Sequence, residues 1–107
     1  MINPLITNAL KESGLPIYYV NRGDNPTPCV VFTIVESPGS FSDDVEDLTE
    51  YTVLLNLYIS PEKYIEKFNL IGELMAAAGF IKRNIPSCRW EETLNVFNQP
   101  MEYKIYK

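Results

Sequence analysis

The stretch Tyr51-Thr52-Val53-Leu54-Leu55-Asn56-Leu57-Tyr58-Ile59, followed at once by Ser60-Pro61-Glu62, decides the fold. Tyr51, Val53, Leu55, Leu57 and Ile59 alternate with Thr52, Leu54, Asn56 and Tyr58, the period of a strand that buries one face of a sheet. At Ser60 the period changes. A serine suits a helix N-cap, a proline suits the first turn, and Glu62 sits near the positive end of the helix dipole. Tyr64, Phe68, Ile71, Met75 and Ala78 then recur at helical spacing as far as Gly79. Glu62, Lys63, Glu66, Lys67 and Glu73 fall on the other side, which marks it as the solvent face.

Working outward, Cys29 to Glu36 is a second predicted strand. Val30, Phe32 and Ile34 lie on one face, and Val31, Thr33 and Val35 on the other. A strand apolar on both faces is central in its sheet or covered twice, and contact with another protomer is one such cover. Upstream, Asn3 is the expected cap of a short helix with Pro4 in its first turn, a stripe at Leu5, Ile6, Ala9 and Leu10, and a stop at Gly14. Ile17 to Val20 reads as a brief strand and Asn21 to Pro28 as a loop. Downstream, Phe80 to Ile85 is expected to be extended. Trp90 to Phe97 and Met101 to Tyr106 read as two strands joined through Asn98-Gln99-Pro100. The expected fold is a single α+β domain over 1–107, an antiparallel sheet with two helices packed on one face.

Composition bounds the function. With 107 residues and a hydrophobic fraction of 46%, the chain can build a core without staples. Its net charge is −5 and its densest basic stretch is the dipeptide Lys82-Arg83, so it lacks the electrostatic footprint of a nucleic-acid binder. No apolar run is long enough to span a bilayer. Cys29 and Cys88 have no metal-type spacing, and Cys29 reads as a buried small hydrophobe; a bridge between the two stays open at this point. Met1-Ile2-Asn3-Pro4 does not read as a leader, so cytoplasmic synthesis is the expectation.

The chain contains no histidine, which removes the commonest general base and the commonest zinc ligand. No nucleophile elbow or phosphate-binding glycine loop occurs. The expectation is therefore no catalytic residues, no cofactor and no metal site. Ser37 to Leu48 breaks both periodicities and gathers Asp43, Asp44, Glu46 and Asp47 without a compensating base. Clustered carboxylates suit hard cations, but the spacing does not match an EF-hand. A solvated loop is the plain reading. A docking arm is the functional one, with Ser42, Asp43, Asp44, Glu46 and Asp47 meeting basic residues of a partner and setting register and encounter rate.

Taken in order, these features resemble the small tail-completion and tail-terminator proteins of long-tailed bacteriophages and prophages. The resemblance is carried by several motifs along nearly the whole chain. These are the proline-led Pro28-Cys29-Val30-Val31-Phe32, Ser42-Asp43 in a variable loop, and the Tyr51 to Ile59 strand ending in Ser60. The helix closing on Gly79-Phe80 and the hairpin from Glu91-Glu92-Thr93 to Tyr103 complete the set. What it implies is a virion structural protein, not an enzyme, assembled in the host bacterial cytoplasm. It would form a homo-oligomeric ring, commonly hexameric, that caps the tail-tube protein and meets the head-connector proteins. Neighbouring head–tail connector and neck proteins share this grammar, and a small cellular protein-binding adaptor domain is the other alternative. A carboxylate- or metal-dependent enzyme built on Asp43, Asp44, Glu46 and Asp47 is the reading from a third class.

Overall fold

A computed structural model of the chain describes residues 2–20, 23, 27–38 and 49–107. Helix α1 spans Asn3–Leu10 and continues as a 3-10 turn over Lys11–Ser13. Gly14 ends it at φ 78°, a left-handed conformation that costs glycine nothing sterically. Ile2, not Asn3, holds the N-cap position, and Asn3 is the first helical residue. Asn3 instead supplies a backbone carbonyl that accepts from Thr7 Oγ1 at 3.1 Å.

Six strands form one sheet: β1 Ile17–Tyr19, β2 Cys29–Pro38, β3 Thr49–Ile59, β4 Ile81–Asn84, β5 Arg89–Glu91 and β6 Val96–Tyr106. Their order is β1-β2-β3-β6-β4, with β5 also paired to β6. The sheet is mixed. β1 runs parallel to β2, and every other pairing is antiparallel. The architecture is α+β, with helix α2, Pro61–Ala77, packed across the sheet and α1 packed against α2.

The two long hairpin strands run beyond the expected boundaries. Ser37 and Pro38 belong to β2, where they pair with Glu50 and Thr49, so the Ser37–Leu48 segment loses its first two residues to the sheet. The closing hairpin also differs from its expected form. Its turn lies at 92–95, where Asn95 takes φ 60° and donates its N–H to the Glu91 carbonyl at 2.8 Å. Asn98, Gln99 and Pro100 continue straight through β6. Pro100 is tolerated there for a geometric reason. Alternation along β6 turns its nitrogen away from β3, into the gap between the stretch paired with β5 and the stretch paired with β4. No ladder bond is lost.

Ser60 stands at the N-cap of α2 with extended backbone, but its side chain makes no capping bond. Pro61 begins the helix, and Gly79 at φ 97° ends it. The helix stripe does what its spacing implied: Ile71 and Met75 are fully buried, while Tyr64, Phe68 and Ala78 pack against the core. On the sheet, Val30, Phe32, Val53, Leu55, Leu57, Met101 and Tyr103 supply the facing layer, and Ile6 and Leu10 of α1 close it. Each fully buried aliphatic side chain contributes about 1.5–3 kcal/mol through removal from water. Every member of this core contributed by the sheet lies on the same face. Both helices therefore serve one side, and the other side is left to be accounted for.

Candidate assembly surface

That second face is set by register. Val35 lies opposite Thr52, Thr52 opposite Lys104, and Lys104 opposite Ile81, so one row crosses four strands. The neighbouring row runs Thr33, Leu54, Glu102 and Asn84. Val35 is 52% exposed, Ile81 51%, Tyr106 45% and Leu54 38%. A Lys104–Glu50 ion pair sits among them, made by Lys104 Nζ and Glu50 Oε2. Its hydrogen bond to Glu50 holds the Lys104 ammonium above its ordinary range. Apolar groups interleaved with a few polar ones are the composition of a protein contact surface, whose centre is poor in unpaired charge.

The opposite end of this face is closed. Cys29, Val31 and Asn98 are buried, and Asn98 Oδ1 has no hydrogen-bond partner among the described residues. No disulfide joins Cys29, which is buried, and Cys88, which is half-buried, and that answers the bridge left open by the sequence.

Trp90 is half exposed and meets Phe97 edge-on at 5.7 Å between ring centres, and Phe97 in turn meets Tyr64 at 5.3 Å. Tyr19 and Tyr106 are exposed while Tyr103 is enclosed. Tyr64 donates to Gln99 Oε1, and burial, then the neighbouring Cys88, pushes its hydroxyl pKa up. Burial also raises the Cys88 thiol, partly offset by its hydrogen bond with Tyr64. A thiol held in its protonated form is a poor nucleophile.

A cleft of about 310 Å³ opens beside the start of α2, lined by Leu15, Pro28, Ile59, Lys63, Glu66 and Lys67. One of its cations is committed: Lys67 Nζ donates to the Ser13 carbonyl at 2.7 Å. No group of three or more metal-ligating side chains occurs among the described residues. No helix among them is long and apolar enough to cross a membrane.

The expected contact residues Ser42, Asp43, Asp44, Glu46 and Asp47 lie outside the described residues. The strands that carry the loop, β2 and β3, are paired up to Pro38 and Thr49. The open-face residues are only half visible in the sequence. The apolar second face of β2 was evident, but Leu54 and Ile81 had no partner in sequence to mark them as members of the same surface. Only the register across β3 and β6 brings them together. No protein-family model matches the chain, and no curated protein matches it.

Proposed function

We propose that this chain is a self-assembling contact protein whose oligomer caps the tail tube of a long-tailed phage or prophage and joins it to the head. The observation that carries the assembly part is the sheet face that neither helix covers, with Val35, Leu54, Ile81 and Tyr106 exposed on it. Exposed apolar side chains on one face gain from being removed from water by a second surface. The tail-specific part is supported by the order of motifs along the chain, from the proline-led β2 to the closing hairpin. In this reading the chain works by shape and contact, without a catalytic centre, and its partners are copies of itself, the tail-tube protein and the head connector. The acidic segment containing Asp43, Asp44, Glu46 and Asp47 serves as the arm toward one of those partners.

The test is to mix the purified chain with tail-tube protein encoded in the same genome and image the product. Tubes bearing one terminal ring, and arrested in length, are the expected outcome. Tubes that elongate unchanged, with the chain remaining in free solution, would remove the tail assignment.

A further inference from the structure

The sheet ends in two unlike edges. On one side, the three residues of β1 cover β2 only as far as Phe32. Val20 donates its N–H to the Phe32 carbonyl at 2.8 Å and then turns the chain away at φ 78°. That conformation is an outlier for a β-branched residue. Val30 and Phe32 point their backbone groups toward β1, so alternation points those of Ile34 and Glu36 the same way, past the end of β1. Among the described residues nothing bonds them on that side. Pro38 has no N–H and closes the run. On the other side, β4 is the outermost strand, all four of its residues are exposed, and alternation turns the backbone of Lys82 outward.

We infer that the β2 edge at Ile34–Glu36 pairs with the β4 edge at Ile81–Arg83 of a second copy, so that the sheet continues from copy to copy. This deepens the self-assembly reading and rests on it. Charge supports the match: Glu36 stands on one edge and Lys82 and Arg83 on the other, all exposed, and none has an ion-pair partner among the described residues. The faces agree as well. Glu36 lies opposite Tyr51 and Lys82 opposite Tyr103, which places both on the helix side; Val35 and Ile81 both belong to the open side. Joining the edges sets Glu36 beside Lys82 on one face and Val35 beside Ile81 on the other.

Direction also fits. β2, β3, β6 and β4 alternate in direction, so a rotation that preserves strand direction brings β4 of one copy antiparallel to β2 of the next. Such a head-to-tail contact builds a ring when the rotation from copy to copy closes. The added strand lies end to end with β1, as β4 and β5 lie end to end along β6. A lysine on a short edge strand also discourages indiscriminate pairing. The matching acid on the opposite edge turns that guard into a selector.

Charge reversal tests the pairing. Glu36→Lys alone and the Lys82→Glu/Arg83→Glu variant alone are each expected to weaken self-association at least about tenfold at low salt, with circular dichroism unchanged. Mixing the two variants, or placing all three changes in one chain, restores complementary edges and is expected to restore association. Glu36→Pro removes the outward N–H while leaving the bonds to β3, and is expected to weaken association too. If wild type assembles and the reversed variants assemble equally well, or if the mixture fails to recover, the edge pairing is overturned while self-assembly stands. A wild-type chain that is monomeric at every concentration overturns both.

Discussion

Tyr64 donates its hydroxyl to Gln99 Oε1 at 2.6 Å, tying helix α2 to the middle of β6. The Gln99 amide is buried and otherwise satisfied, donating to the carbonyls of Pro86 at 2.8 Å and Pro100 at 2.7 Å. Tyr64→Phe leaves Oε1 without its donor. An orphaned buried acceptor costs about 1–3 kcal/mol, so a matching drop in unfolding free energy is expected from urea titration. An unchanged midpoint would show that the bond contributes nothing.

Adjacent leucines separate folding from assembly. Leu55 is fully buried under α2, whereas Leu54 points to the uncovered face. Leu55→Ala is expected to cost about 2–5 kcal/mol of stability through lost burial and the cavity it leaves. Leu54→Thr is expected to leave the melting temperature within a few degrees of wild type while weakening self-association. Equal effects of the two on stability would mean that the second face is not free.

Val20 is half exposed and held at φ 78°. Replacing a strained β-branched residue with glycine ordinarily costs entropy, but here it also releases strain of about 1–3 kcal/mol. Val20→Gly is therefore expected to be neutral or stabilising in thermal melts, against the usual sign for a residue beside a strand. Clear destabilisation would contradict the strain.

Alkaline pH is expected to unfold the chain earlier than neutral pH. Burial raises Tyr103; burial and then Cys88 raise Tyr64; the hydrogen bond Lys104 donates to Glu50 raises Lys104. Each group holds its proton more tightly when folded than when unfolded. Their contribution is complete below the ordinary values of 10.0 for tyrosine and 10.5 for lysine, and is lost as pH climbs through the raised folded values. Denaturant midpoints should be flat near neutrality and fall above about pH 10, with a shallower fall in Tyr103→Phe. An identical slope in that variant would exclude Tyr103 as a contributor.

Much of this fold is legible in local pattern. The alternation of Tyr51 to Ile59 names the buried face of β3, and the spacing of Tyr64 to Met75 names the buried stripe of α2. What local pattern cannot supply is register. Pro100 looks like a turn residue until β4 and β5 leave a gap beside it, and Ser37-Pro38 looks like loop until Glu50 and Thr49 pair with it. The open face was legible only as an excess of apolar residues on β2. Its membership depends on which residues of four separate strands stand in one row. Glu36 and Lys82 gain meaning from the same source, because opposed edges of a sheet are neighbours only once a second copy is considered.

Neutralising Asp43, Asp44, Glu46 and Asp47 together probes the acidic arm. The expected result is an unchanged fold with slower assembly at low salt, a difference that fades as salt shortens electrostatic reach to about 8–10 Å. Assembly rates unaffected at low salt would show that the acids only keep the segment solvated.

In the proposed assembly the uncovered sheet face and its edges meet other copies of the chain. Mass photometry and light scattering across a concentration series measure that directly. The expected result is a transition from monomer to one closed oligomer of fixed mass, which then stops growing. A monomer that persists to the highest concentration would mean that neither the face nor its edges meet a second copy.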